Sequence, residues 1–183
     1  MFWRMRKAKQ ALSRFGRAKR GAAAVEFGLV AVPFFLLMFG VGEVSMMGLA
    51  QTSLDYAVNE TARRIRTGEA QTSGSSYTDM QTQICNGMNR FMVLSCSGNL
   101  YLDVNHFASF TDAANGQVNP IQNNQFQTNG FGYSPGVASE IVVVRAYYRW
   151  QVITPMFQPI FQSVSAGDHI LVSTMMFRNE PYS

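Results

Sequence analysis

The feature that most constrains this chain is a run of apolar residues close to its N-terminus that contains a single carboxylate. Residues 22–41 form this run of 20 residues, and Glu26 is its only charged side chain. A helix of that length covers about 30 Å, the thickness of the hydrocarbon core of a bilayer. A charge in such a helix costs on the order of 2.5–3.5 kcal/mol at the bilayer centre, so we expect Glu26 to have a function. The run predicts a transmembrane helix over residues 22–42.

Basic side chains are concentrated before this run. Eight of the 15 lysines and arginines lie in residues 1–20, and no acidic residue precedes Glu26. A basic flank beside a spanning helix normally stays in the cytoplasm, so we expect the chain after the run on the other side. Without residues 1–21, seven basic and 11 acidic side chains remain, a net charge of −4. The positive charge of the whole chain therefore reflects a basic leader, and no nucleic-acid partner is expected.

A cleavable secretory signal is the less favoured interpretation of the N-terminus. The apolar run is longer than the 7–15 residues of a typical signal-peptide core. A small-residue pattern at residues 48–50 lies well beyond the run, inside a continuing helical pattern.

Residues 43–68 predict an amphipathic continuation of the same helix, because apolar residues recur at helical spacing. Gly68 supplies a stop, since glycine readily adopts the left-handed conformation at a helix end. Beyond a polar linker at residues 71–77, a second, short helix is expected from an N-cap at Thr78 to about Asn89. The apolar stripe of the long helix consists of Leu54, Ala57, Val58, Ala62 and Ile65, and that of the short helix of Met80, Ile84, Met88 and Phe91.

The C-terminal half of the chain predicts a small sheet. Residues 100–104, 140–153 and 169–177 alternate between two faces, which predicts at least three antiparallel strands with one packed face and one wetter face. Arg145 is expected on the wetter face, and residues 112–136 are expected to form a long loop. The predicted fold class is α+β, with a long N-terminal helix, transmembrane and then amphipathic, packed on a small antiparallel sheet. The predicted extracytoplasmic α+β domain covers residues 69–183.

The chain has two cysteines, Cys85 and Cys96, both in the region that we expect to be exported. A disulfide between them is the favoured interpretation, and closing this loop would stabilise the fold by roughly 2–3 kcal/mol. Two buried thiols or half of a metal site are the alternatives. A metal site would need more ligands, and the two histidines, His106 and His169, show no ligand spacing. We therefore expect neither a metal nor a cofactor.

Residues 132–136 match the G-x-S-x-G motif of hydrolases, with Ser134 as the nominal nucleophile. That motif needs a buried strand before it and a helix after it, whereas here a polar loop precedes and a strand follows. The adjacent pair Asp168 and His169 is poorly placed to complete a triad. We interpret the motif as a Pro-Gly turn, assign no catalytic residue and expect no enzymatic activity; a secreted hydrolase would require Ser134.

The junction between the leader and the apolar run resembles the processing site of type IV prepilins. In that family a peptidase cuts after a glycine, and the fifth residue of the mature chain is glutamate. Here the cut would fall between Gly21 and Ala22, with Glu26 in fifth place followed by Phe27. The resemblance implies that Glu26 pairs with the Ala22 amine of a neighbouring subunit and sets filament register. The alternatives are a cation partner in its own chain or on another membrane protein, or a glutamate held protonated.

Further stretches narrow the resemblance to TadE-like pseudopilins, minor components of the tight-adherence (Flp, type IVc) pilus machinery. The stretches that carry it are Glu26-Phe27 after Gly21, residues 62–68, the Cys85 and Cys96 pair, residues 102–104 and residues 177–182.

This resemblance implies a single-pass protein of the bacterial inner membrane with a cytoplasmic N-terminus and a periplasmic domain. Its implied partners are the prepilin peptidase, other pilins or pseudopilins, the inner-membrane assembly platform and membrane lipid. The alternative is a membrane-anchored periplasmic binding or adhesion module that is not incorporated into a filament.

Overall fold

The structure is a computed structural model that describes residues 19–91, 94–116 and 119–182. Most of the predicted basic leader lies outside these residues. The chain divides into two compact units between Gly42 and Glu43. The first unit contributes only helix to the described residues, and the second is a folded α+β domain that begins at Glu43.

Helix α1 extends from Lys19 to Arg66, which confirms the predicted long helix. Pro33 lies inside its apolar part, where a missing N–H is tolerated in a membrane helix. The helix ends before Gly68, whose φ of 80° is in the left-handed region that glycine adopts without strain. The predicted glycine stop is therefore confirmed.

The amphipathic stripe of α1 forms one side of the domain core. All five predicted stripe residues are buried, and they pack with apolar side chains of the next helix and of the sheet. A Cβ on Gly87, in the helix of residues 77–88, would lie 2.8 Å from the Cβ of Ala57. A glycine at this position therefore lets that helix lie directly on α1.

Two helices follow α1. The four-residue helix α2, Glu69–Thr72, overlaps the first two residues of the expected polar linker, because the chain turns back into helix after Gly68. Helix α3 is Tyr77–Met88. Its predicted N-cap at Thr78 is wrong: the Ser76 hydroxyl accepts from the Asp79 N–H at 3.3 Å, and the Asp79 carboxylate accepts from the Ser76 N–H at 2.8 Å. This reciprocal capping box satisfies two helix-end donors, which explains the earlier start.

The apolar stripe of α3 is shorter than predicted. Met80, Ile84 and Met88 are buried. Phe91 lies beyond the helix and is exposed, with its ring 5.3 Å from that of Tyr56. Because α3 ends at Met88, the helical spacing no longer decides which way Phe91 points.

The main sheet has three antiparallel strands: β1, Leu100–Phe107; β4, Ile141–Gln151; and β5, Asp168–Arg178. The strand order is β1-β4-β5, so β4 is the central strand. Its register places Val144 opposite Val104 on one side and Met175 on the other. The predicted antiparallel sheet with the helix across one face is confirmed.

The prediction of a wetter second face is wrong for the middle of the sheet and holds at its end, where Gln151 is exposed. Asp103, Arg145 and Tyr147 lie on the face opposite α1 and α3, and all three are buried. Part of their cover comes from the segment expected to be a loop. That segment contains α4, Phe110–Asn115, and a small hairpin of β2, Ile121–Gln122, and β3, Gln125–Phe126.

Aromatic packing shows how this cover is made. The rings of Phe126 and Phe131 lie 5.8 and 5.0 Å from that of Tyr147. Asn123 and Asn124, at the hairpin tip, have φ of 52° and 57°, the conformation of a tight two-residue turn. A period-two pattern tells which residues share a face, but it does not tell whether a distant segment covers that face.

A short connection joins β4 to β5. It consists of a 3₁₀ turn, Pro155–Phe157, and a four-residue helix, α5, Gln158–Phe161. At the other end of the domain, the C-terminal residues lie against the end of α1. The Glu180 N–H donates to the Arg66 carbonyl at 2.8 Å, and the Tyr182 ring lies against Gly68.

Candidate membrane and assembly site

The predicted processing and assembly residues lie close together on α1. Gly21, Ala22, Glu26 and Phe27 are all exposed. Ala22 and Glu26 are one helical turn apart and share a face, because residues at i and i+4 align along a helix. Glu26 has no hydrogen-bond or ion-pair partner among the side chains that the structure describes. The arrangement leaves its carboxylate accessible to a partner outside this chain.

The helix around these residues presents apolar side chains in every direction. An 18-residue window of α1 has a mean hydropathy of 2.2, and 0% of it is buried. A helix that is apolar all round is stable only where its surroundings are also apolar. The segment is long and apolar enough to span a membrane, as a single-pass membrane protein requires. The exposed large apolar side chains here are those of Val25, Phe27, Leu29, Val30, Val32, Phe34, Phe35, Leu37, Met38, Phe39 and Val41.

A second carboxylate lies just beyond the apolar run, at the first residue of the folded domain. Glu43 is only 4% exposed. Its Oε1 accepts from the Trp150 Nε1–H at 3.3 Å and the Ile153 N–H at 3.0 Å. Its Oε2 accepts from the N–H of Thr154 at 3.0 Å and from its hydroxyl at 3.1 Å. Four donors from the end of β4 therefore surround one carboxylate of α1.

These donors decide the charge state of Glu43. Burial by itself raises the pKa of its carboxyl, because it disfavours the ionised form. The hydrogen bonds from Ile153, Trp150 and Thr154 favour the ionised form and outweigh burial, so the pKa is lowered from its ordinary value. Glu43 is thus an ionised anchor that joins α1 to the end of the central strand.

The sequence patterns did not reveal this anchor. They gave residue 43 only as the first residue of the amphipathic continuation of the helix. The one signal was a lone acid between two uncharged stretches, residues 27–42 and 44–54, since a carboxylate in such surroundings needs donors. The sequence offers no way to find those donors, because they come from residues 150–154.

The two cysteines are joined in the structure. The Sγ atoms of Cys85, on α3, and Cys96 are 2.00 Å apart, a covalent S–S distance. The closed loop runs from the third turn of α3 towards the start of β1. Both half-cystines pack against the main core, so the bridge fixes the entry of the chain into the sheet.

A buried ion pair lies on the second face of the sheet. Arg145 Nη1 and Asp103 Oδ2 are 3.3 Å apart, and both side chains are buried. Asp103 Oδ1 also accepts from the Gly132 N–H at 3.2 Å and from Asn105 Nδ2 at 2.6 Å. Through Asp103, the pair therefore holds the 131–133 segment against β1. Within the described ranges, no group of three or more His, Cys, Asp or Glu side chains could hold a metal ion.

Ser134 has a histidine neighbour that the sequence did not predict. His106 Nδ1 lies 2.9 Å from the Ser134 Oγ. The Ser134 N–H donates to the Val104 carbonyl at 2.8 Å, and residue 133 forms a parallel bridge with Val104. Ser134 therefore lies in an extended segment beside β1, and not on the strand-to-helix turn that a nucleophile elbow requires.

The adjacent residues Asp168 and His169 have separate partners. The Asp168 carboxylate accepts from Arg149 Nη2 at 2.5 Å. His169 Nδ1 lies 2.6 Å from the carbonyl oxygen of Phe161. The structure does not bring this pair to Ser134.

Comparison with known proteins identifies one part of the chain. Residues 21–63 match the model of the family described as TadE-like protein. The match begins at Gly21, includes Glu26 and Glu43, and ends in the last turn of α1. The resemblance to that family is confirmed over these residues, whereas the resembling stretches further along the chain stay predictions. Neither a curated protein nor a solved structure matches this chain.

Proposed function

The chain carries a TadE-like region at residues 21–63, and from this premise we propose that it is a minor pseudopilin of a Tad (Flp, type IVc) pilus. A prepilin peptidase cuts after Gly21. The mature chain spans the inner membrane with its domain in the periplasm, and it assembles with other pilins or pseudopilins at the inner-membrane platform. Its role is structural, without enzymatic activity.

The observation that carries the proposal is the coincidence of three features in one segment. The family match starts at the glycine of the proposed cleavage site. The helix that follows is exposed and apolar, and long enough to cross a bilayer. Glu26 is the only charge in residues 22–42. A plain anchor would gain stability by losing that charge, so its presence favours a specific partner.

In this proposal Glu26 binds the new N-terminus of a neighbouring subunit. Cleavage after Gly21 creates a free amine on Ala22, one turn from Glu26. A carboxylate in the first turns of a helix interacts well with the helix dipole, and in hydrocarbon it also needs a cation. The Ala22 amine of the next subunit supplies that cation and fixes the axial offset between the two helices.

The open surroundings of Gly21 support a role in recognition by another protein. A Cβ added there would meet no atom within 4 Å. Packing within the described part of the chain therefore does not require glycine at this position. A peptidase that must close around the backbone does require a residue without a bulky side chain.

The test is a set of chromosomal substitutions scored for pili by electron microscopy and for membrane fractionation. Glu26→Leu leaves membrane insertion intact, because the run becomes more apolar, and it makes pili scarce or absent. Val30→Leu, one turn along the same face, is the matched control with normal pili. Ser134→Ala also leaves pili normal.

Two results would overturn the proposal. If Glu26→Leu cells make normal pili, Glu26 does not set subunit register and a membrane anchor outside the filament becomes the better account. If Ser134→Ala abolishes an activity of the protein while Glu26→Leu leaves pili normal, the hydrolase interpretation replaces the pseudopilin proposal.

A further inference from the structure

The connection between β4 and β5 is unusually apolar for a surface segment. Residues 152–167 contain no charged side chain. Ile153, Met156 and Ile160 are 62%, 61% and 70% exposed. Phe157 and Phe161 pack beside them with ring centroids 5.9 Å apart. Three large exposed apolar side chains in one short connection mark a contact with something apolar.

Hydrogen bonds hold this connection at the membrane end of the domain. The N–H groups of Ile153 and Thr154 each donate to the Glu43 carboxylate at 3.0 Å. Glu43 directly follows residues 22–42, the proposed spanning segment. The start of the connection therefore lies within a few ångströms of the residue at which the chain leaves the hydrocarbon.

The neighbouring part of α1 is uncharged as well. Residues 44–54 carry no charge, and Asp55 is the first charged residue beyond Glu43. At the rise of an α-helix these 11 residues cover about 16 Å. Val44 and Met46 are exposed on this stretch. The membrane end of the domain thus exposes apolar groups from two elements, α1 and the β4–β5 connection, with Glu43 buried between them.

We propose that these side chains form a membrane-facing surface, made by Val44, Met46, Ile153, Met156 and Ile160, that inserts into the lipid interface. The inference rests on the proposed membrane span. Lipid is the occupant because Val44 lies only two residues beyond the proposed span in the chain, and because the surface lacks the charges with which a protein partner is usually oriented. A surface of this kind lies about 5–10 Å deep, at the boundary between headgroups and acyl chains.

The full chain reconstituted into phosphatidylcholine–phosphatidylglycerol vesicles tests this directly. Single cysteines are introduced by Met156→Cys, Val137→Cys or Leu29→Cys and labelled with an environment-sensitive fluorophore without reductant. The parent chain, whose two cysteines are bonded to each other, serves as the labelling blank. Vesicles with and without spin-labelled lipid report whether each position contacts acyl chains.

Val137 is a matched control for Met156. It is 64% exposed, similar to Met156 at 61%. It precedes β4, whereas Met156 follows that strand, whose 11 residues cover about 36 Å. Leu29 lies in the middle of the apolar run and reports the span itself.

The expected result is that spin-labelled lipid reduces emission at Met156 about twofold and at Leu29 at least as much, with little change at Val137. Adding Ile160→Asp should relieve the quenching at Met156 alone. Quenching at Leu29 without quenching at Met156 would overturn the membrane-facing surface and leave the span intact. Absence of quenching at Leu29 would overturn the span, and with it both proposals.

Discussion

The Glu43 carboxylate and the Trp150 indole are hydrogen-bonded across 3.3 Å, although 107 residues separate them in the chain. The contact joins the first residue after the apolar run to the end of the central strand. Because Ile153 and Thr154 donate to the same carboxylate, one side chain joins the start of the folded domain to the segment that follows β4.

Replacing this carboxylate should be costly for the domain. Glu43→Ala leaves the buried Trp150 Nε1–H and two backbone N–H groups without an acceptor, so we expect the free energy of unfolding to fall by about 3 kcal/mol. Denaturant titration in detergent, followed by tryptophan fluorescence, measures the change. Glu60→Ala is the control: Glu60 makes only a solvent-exposed pair with Arg63 at 3.1 Å, worth at most about 0.5 kcal/mol. Equal losses of unfolding free energy in the two variants would contradict the anchoring role of Glu43.

The same carboxylate predicts a pH dependence. Burial raises the pKa of Glu43, but its hydrogen bonds lower the pKa by more than burial raises it. The folded-state pKa therefore lies below the ordinary value of 4.5. Its stabilisation is therefore complete above pH 4.5 and is lost as the pH falls through the folded-state pKa. In Glu43→Gln this contribution is missing at every pH. The difference in unfolding free energy between parent and variant should shrink on acidification from about pH 6 to about pH 3. If the difference between parent and Glu43→Gln stays the same over this pH range, the donors do not stabilise the ionised form of the carboxylate.

The bridge between Cys85 and Cys96 should stabilise the domain by restricting the unfolded chain. Replacing both by serine should lower the free energy of unfolding by roughly 2–5 kcal/mol. Thermal unfolding of parent and variant measures the loss. Protein from the periplasm should resist alkylation unless it is first reduced, and labelling of both thiols without reduction would refute the bond.

Gly68 should not tolerate a side chain. Gly68→Ala places a Cβ in a left-handed residue, at φ of 80°, and against the Tyr182 ring. Gly74→Ala is a matched control, because Gly74 has φ of 65° but open space around it. Gly74→Ala should lower the free energy of unfolding only by the cost of a left-handed backbone conformation, roughly 1–2 kcal/mol, and Gly68→Ala should lower it more. If Tyr182→Ala does not relieve the excess, the ring contact is not its cause.

Processing after Gly21 should leave Ala22 as the mature N-terminus. Intact mass and N-terminal sequencing of protein from cells that contain the peptidase check this. Gly21→Lys should leave the leader attached, because a long side chain would have to fit where glycine has none. Gly28→Ala, also in open helical surroundings, should be processed normally. A retained leader in the parent chain would rule out the cleavage.

Local patterns in the sequence determined the long helix α1, the helix α3, the three strands of the main sheet and the candidate assembly segment. Glu26 stands out because it is a charge among apolar neighbours, a contrast that needs no tertiary information. The buried stripe from Leu54 to Ile65 follows from helical spacing alone, and the stop at Gly68 from the backbone freedom of glycine. Each of these depends on residues within a few turns of one another.

Tertiary structure decided which surfaces are covered and where isolated polar groups find partners. The alternation in β4 separated its two faces, but it did not show that aromatic side chains of another segment pack on Tyr147. Nor did it show that Arg145 is buried on the same face, where Asp103 neutralises it. Glu43 is an anchor only because the end of β4 brings four donors to it. Periodicity reports the conformation of a segment and the direction of its side chains. Burial and charge compensation depend on residues far away in the chain, and these meet only in the folded domain.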